Sequence, residues 1–380
     1  MGCSNKEIVE IIIENPYNKE SGDKIIEVPA EQILKGFRSD YFYITNERGE
    51  EIISQLTHDN LILIKAEVSP HNKIKYFVHP SDTVHLYKTL VYGDFYPARR
   101  DDIAYENELG GYRIYGPGTQ KAGEESFGYD IFFKYPTEEI VLPQLYAAQT
   151  SSENWKKVDS LKKIDSILAS KFEESFTYHL DHGKGMDSYA VGSTLGAGAP
   201  ALLINDTIKY PWCYESAAIL DNGPLRFTVK LSFAPEKISE TNEIKEHRII
   251  QLDAGSYFNR SKVFYEGLEE PQRIVSGFPL RDDSKVVELK EKGIISYSAP
   301  AQNIKYGRAN LALKFTNIAD SIYHIDRHIL LSTILHPNDT LDYKWGFAWD
   351  KKELPDPDSL IINLEEPDRN YLVKIKKSNL

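Results

Sequence analysis

Leu225-Arg226-Phe227-Thr228-Val229-Lys230-Leu231-Ser232-Phe233 alternates apolar and polar residues without a break, and Asn222-Gly223-Pro224 stands immediately before it. Successive side chains of a strand point to opposite faces, so this spacing puts Leu225, Phe227, Val229, Leu231 and Phe233 on one side and the polar residues on the other. A helix would scatter the same residues around its axis. Asn-Gly-Pro is turn chemistry. The stretch therefore reads as a strand with one buried face, entered through a turn.

Working outward, similar alternating or β-rich stretches occupy residues 24–28, 41–45, 74–78, 83–91, 111–115, 129–135, 248–252, 263–265, 294–297, 311–315 and 341–348. Turn residues such as Pro337-Asn338-Asp339 punctuate them. The regular exchange of strand and long helix that a doubly wound sheet requires is absent. The expected fold is mainly β, a large antiparallel β-sandwich. One segment departs from it: Trp155, Val158, Leu161, Ile164, Ile167 and Leu168 recur at helical spacing, behind a capping-box signature at Thr150-Ser151-Ser152-Glu153. This predicts one amphipathic helix over residues 154–171. It divides a smaller N-terminal β-layer, residues 23–149, from a larger one, residues 173–380.

The 380 residues, 41% hydrophobic and 27% charged, suffice for a substantial core. A net charge of −12 repels polyanions at long range and argues against nucleic acid as a partner. It does not exclude an anionic sugar, which a local arginine can hold. The 24 Tyr and 16 Phe suit strands, and a tyrosine in a cleft offers a sugar ring both a flat apolar face and a hydroxyl. Two cysteines are too few for a disulfide framework. Cys213 reads as a buried thiol. Cys3, followed by Ser4-Asn5-Lys6, looks like the acylated first residue of a lipoprotein, with residues 1–22 as a tether and residues 23–380 as the sandwich; this implies a periplasmic or outer-membrane location. N-myristoylation of Gly2 is the alternative.

Three places carry more polar chemistry than packing needs. The first is Arg99-Arg100-Asp101-Asp102-Ile103-Ala104-Tyr105-Glu106-Asn107-Glu108 with Gly111-Tyr112-Arg113-Ile114-Tyr115. Arg113 and Tyr115 share one strand face and can grip a carboxylate, or belong to a solvated edge held by structural ion pairs. The second is Tyr178-His179-Leu180-Asp181-His182-Gly183-Lys184-Gly185-Met186-Asp187-Ser188-Tyr189, leading into the glycine-rich residues 192–198. Histidine and tyrosine there suit proton transfer. A metal at His179-x-Asp181-His182 matches no compact site, and no cofactor is expected. The third is Asp253-Ala254-Gly255-Ser256-Tyr257-Phe258-Asn259-Arg260, where Asn259 and Arg260 either meet sugar hydroxyls or belong to a plain hairpin. His324 and His328 read as packing residues.

At Arg99-x-Asp101-Asp102-Ile103-Ala104-Tyr105-Glu106-Asn107, Tyr112-Arg113-Ile114-Tyr115-Gly116-Pro117, His182-Gly183-x-Gly185-x-Asp187-x-Tyr189-x-Val191-Gly192 and Leu195-Gly196-Ala197-Gly198 the chain resembles the bacterial family called domain of unknown function 4861, found among lipoproteins of polysaccharide-utilisation systems. Tyr105 and Glu108 stand where the family pattern has Trp and Asp. The resemblance implies a β-sandwich of the supersandwich kind and an oligosaccharide dehydratase of the ulvan-degrading type. Such an enzyme removes water from a non-reducing-end glucuronic or iduronic acid and leaves a 4,5-unsaturated uronyl end. On that reading Arg113, with Arg99 or Asn107 in support, clamps the carboxylate, His182 and Tyr189 exchange protons, and Asp187 or Asp181 orients the imidazole; Tyr115, Asn259 and Arg260 are the further candidates for substrate contact. A non-catalytic glycan-binding lipoprotein and a mutarotase-like epimerase are the rival expectations.

Overall fold

A computed structural model describes residues 8–18, 24–35, 41–316, 319–352, 357–365 and 371–378. Cys3 and Gly2 lie outside the described residues. The chain is mainly β and its paired strands run antiparallel, as the alternation predicts.

Strand Arg226–Ser232 lies second in a nine-stranded sheet with Ser216–Asn222 at one edge, followed by Glu243–Asp253, Phe258–Glu266, Leu341–Trp349, Arg308–Phe315, Ile294–Pro300 and Val286–Leu289; short Glu236–Lys237 pairs beside Glu243–Asp253. Leu225, Phe227, Val229, Leu231 and Phe233 all enter the largest apolar cluster. Across that cluster lie two five-stranded sheets. One runs Gly185–Met186, Asp130–Lys134, Gly111–Ile114, Asp102–Glu106, Tyr92–Tyr96. The other runs Thr207–Lys209, Pro200–Ile204, Gln272–Pro279, His328–Leu335, Ser321–Ile325. Aromatic pairs join the first of them to the nine-stranded sheet: Tyr105 stacks on Phe227 at 4.8 Å and Tyr129 on Trp345 at 4.3 Å. Such contacts add to the burial that drives sandwich formation. Helix Pro357–Glu365 covers part of the opposite face through Leu360, Ile361 and Leu364.

On the polar face of Arg226–Ser232, Arg226 and Thr228 are buried as well. A second, smaller sandwich docks there. Its five-stranded sheet runs Leu372–Ser378, Ile8–Glu14, Lys73–Ser81, Tyr41–Asn46, Glu51–Ile52, and its three-stranded sheet Lys24–Pro29, Leu61–Ala66, Ser54–Leu56. Gln55 bonds the backbone of Leu225 and Arg226, and Arg226 bridges Glu27 and Asp253. A polar face thus found protein partners instead of water. Residues 8–14, within the expected N-terminal tether, form an interior strand of this sandwich, and the C-terminal strand returns to pair with it, Ile11 opposite Ile375.

The single helix expected over residues 154–171 is two helices, Ser152–Lys162 and Ser166–Glu174. The break follows from Asp165, whose carboxylate accepts from the Ile167 and Leu168 amides and starts a new helix. The first helix is capped by Ser151, which accepts from Asn154 N. Leu142–Gln149 precedes the pair. Among the described residues no helix is long and apolar enough to cross a membrane.

Candidate functional site

The sheet containing Gly111–Ile114 turns Ile103, Tyr105, Tyr112, Ile114, Ile131 and Phe133 toward the main core. Period two then sends Asp102, Glu106, Arg113, Asp130 and Lys134 to the other face. That face is itself covered, by Leu142–Gln149 and by Tyr178, which pack on Ala104 and Phe132. Buried charges must be paired or they neutralise. Lys134 pairs with Glu106 at 2.7 Å, and Glu106 accepts from the Val141 and Leu142 amides, fixing the start of Leu142–Gln149.

Arg113 is the centre of the second group. It faces Asp130 directly across the strand pair and donates to it through Nε at 3.0 Å and through Nη2. Nη2 also reaches Asp187 Oδ2 at 2.8 Å and the Tyr115 hydroxyl at 3.1 Å; Nη1 reaches the Tyr178 hydroxyl at 3.2 Å and lies 3.9 Å from Asp102. Tyr115 donates to Asp130 at 2.6 Å. The Tyr178 oxygen accepts a second guanidinium, Arg99 Nε, at 3.1 Å. Arg99 keeps a buried Nη1 without an acceptor, and its side chain is partly exposed.

Two guanidiniums therefore stand against Asp102, Asp130 and Asp187. With this imbalance, burial pushes Asp102 up to about 7 and Asp130 up to about 6, although Arg113 pulls both back. Burial also raises Tyr178, while Arg113 and Arg99 pull it down. Burial works against the charge of Arg113, but Asp130 and Asp187 hold it firmly protonated.

The loop and the strand meet. Asp187 contacts Arg113, and its Oδ2 lies 3.5 Å from Nδ1 of His179, whose side chain is half exposed. His179 also packs edge-on against Tyr178. Exposed His182 approaches the Thr177 carbonyl through Nε2 at 3.0 Å, on the same turn. Asp181 accepts from Tyr135 and from the Gly183 amide. Among the described residues no group of three or more His, Cys, Asp and Glu is placed to hold a metal ion.

The remaining expected residues lie elsewhere. Tyr189 is buried in the main core with an unbonded hydroxyl, which burial holds far above its ordinary value. Asn107 shapes a turn, donating to Asp253 O and Ser256 O and accepting from the Leu109 and Gly110 amides. Asn259 is buried beside Tyr112 on the inner side of the sheet, while Arg260 alternates to its other face. His328 is buried: Nδ1 bonds Asp326 O and Nε2 accepts from Leu195 N. Tyr178, His179, Asp102 and Asp130 are the residues that sequence reasoning did not select for the site. Asp130 and Lys134 recur at even spacing in an otherwise apolar strand, which was their visible signal.

The Uncharacterized protein P7 of Formosa agariphila is 26% identical to this chain over 304 residues, covering 78% of this chain and 72% of that protein. Among solved structures, an alpha-mannosidase from Enterococcus faecalis V583 is similar at 8% identity with a TM-score of 0.48, covering 98% of this chain and 46% of that one. A glycosyl hydrolase family 38 protein from Enterococcus faecalis is similar at 9% identity with a TM-score of 0.47, covering 99% and 48%. This chain spans about half the length of those two. Residues 13–360 match the family described as Domain of unknown function (DUF4861), and the chain belongs to that family.

Proposed function

We propose that the protein is an oligosaccharide dehydratase that removes water from a non-reducing-end uronic acid and leaves a 4,5-unsaturated end. One observation carries this reading: a half-exposed imidazole and a partly exposed arginine are fixed to the same buried cluster, His179 through Asp187 and Arg99 through Tyr178. The family resemblance supports the substrate class.

A proton alpha to a carboxylate is only weakly acidic while that group keeps its full charge. Arg99, through the partly exposed part of its side chain, pairs with the carboxylate and stabilises the charge that builds on it. His179 takes the C5 proton. The C5–H electrons form the C4=C5 bond, the C4–O bond breaks, and the oxygen leaves as water with a proton delivered by His182. Solvent exchange then returns the proton from His179 to His182. Arg113, buried and saturated by Asp130 and Asp187, positions these groups and does not itself grip substrate.

The test is incubation with a panel of saturated uronyl-ended oligosaccharides. Ultraviolet absorbance should rise and product mass should fall by one water. His179→Ala and Arg99→Met should lower turnover by at least about a hundredfold, while Arg260→Ala leaves it unchanged. No product from any member of the panel, or full activity in His179→Ala, refutes the reading.

A further inference from the structure

A cavity of about 250 Å³ opens where the hairpin formed by Pro200–Ile204 and Thr207–Lys209 runs on into Tyr210, Pro211, Trp212 and Cys213. Its far wall comes from the nine-stranded sheet: Phe233 just past Arg226–Ser232, with Ile244, Glu246 and Tyr265. None of these residues belongs to the Arg99, Arg113 and His179 group.

We propose that this cavity is a second binding site and that it takes one uncharged six-membered sugar ring. Three observations point to that ligand. First, the walls are aromatic and held rigid. Tyr210 stacks on Phe127 at 5.1 Å, Trp212 meets Phe127 edge-on at 5.5 Å, and Phe233 lies under the Arg248 guanidinium at 4.4 Å. Flat faces held this way stack against the C–H face of a pyranose.

Second, the rim carries hydroxyl-binding groups with nothing to hold. Gln120, Lys209 and Glu236 are exposed, and among the described residues their side chains make no hydrogen bond. An amide, an ammonium and a carboxylate together can both donate to and accept from sugar hydroxyls. The Trp212 indole N–H in the wall also lacks an acceptor, although buried donors normally find one.

Third, the lining offers no net field to an ion. Lys209 and Glu236 offset each other, and Glu246 on the floor is bonded to Arg248 and accepts from Tyr265 at 3.2 Å. A uronate would gain no guanidinium here and would face two carboxylates. The volume admits one ring and little more.

The site is tested by saturation-transfer NMR and tryptophan fluorescence on the whole protein, using methyl glycosides of uncharged hexoses, a methyl uronide and a planar aromatic alcohol of similar size. At least one uncharged glycoside should bind, with transfer strongest to its C–H face and the uronide at least tenfold weaker. Trp212→Ala should abolish that binding. Glu236→Gln and Lys209→Ala, surface changes that leave the core intact, should weaken it severalfold. Binding of the aromatic alcohol alone, no binding of any glycoside, or affinity unchanged in all three variants overturns the proposal. Turnover of a uronyl-ended substrate by Glu236→Gln is scored separately, so loss of this site and loss of the elimination reading remain distinguishable.

Discussion

Replacing Asp102 with Asn should make the protein more stable at pH 8 and less sensitive to pH. Asp102 is fully buried; its Oδ1 has no partner, Tyr146 is 3.4 Å from its Oδ2, and Arg113 stands 3.9 Å away, already bonded to two other carboxylates. Burial, opposed by Arg113 and Arg99, lifts it from 3.8 to about 7. At about 1.4 kcal/mol per pH unit, that rise corresponds to roughly 4 kcal/mol. The folded protein holds this proton more tightly than the unfolded chain does, so the contribution to stability is present at low pH. It is lost as pH climbs from about 4 to about 7 and is flat above. Between pH 5 and 8 the native protein should therefore lose roughly 3 kcal/mol through this one group. The Asn variant should lose less over that range, because its side chain never ionises and only Asp130, also raised by burial, is left to titrate there. Urea unfolding followed by tryptophan fluorescence at pH 5, 6, 7 and 8 measures both slopes. A native protein whose stability is flat or rising over that range, or an Asn variant less stable than native at pH 8, refutes the reasoning.

Arg113→Met removes the cation that, among the described residues, touches both Asp130 and Asp187 and leaves them buried together; the expected loss is about 3–5 kcal/mol, read from the same urea curves, and an effect below about 1 kcal/mol would show that the cluster is not held by this residue. Gly116→Ala places a Cβ 1.8 Å from the Asp101 carbonyl, so the turn that carries Arg99 to Asp102 must shift; turnover of a uronyl-ended substrate should fall, and an unchanged rate would detach that turn from the site.

What the sequence revealed depended on how local the information was. Period two along residues 225–233 correctly marks the inner face, because burial of alternate residues is decided within one strand. The burial of Arg226 and Thr228 on the outer face was not legible there, since only the distant Gln55 and Glu27 reveal that a second sandwich sits on it. The same division runs through the site. Arg113 and Tyr115 do meet, at 3.1 Å, as the i and i+2 rule requires. That Arg113 is enclosed by Asp102, Asp130 and Asp187 depends on strand register and on the return of a loop some seventy residues later. The choice between two histidines three residues apart was equally invisible: His179 Nδ1 sits against both the carbonyl and the carboxylate of Asp187, while His182 turns to the Thr177 carbonyl, a matter of turn geometry.

The Arg113 cluster is a poor way to gain stability. Apolar residues of similar size would pack this face at less desolvation cost, and a surplus carboxylate makes the arrangement worse. What the charges supply is direction. Each guanidinium nitrogen of Arg113 is committed to a named oxygen, so Tyr178 and Asp187 are fixed in place, and they in turn fix Arg99 and His179 at the rim. On the proposed reading, the energetic penalty of these buried aspartates is the cost of orienting one half-exposed imidazole and one partly exposed guanidinium toward a common substrate.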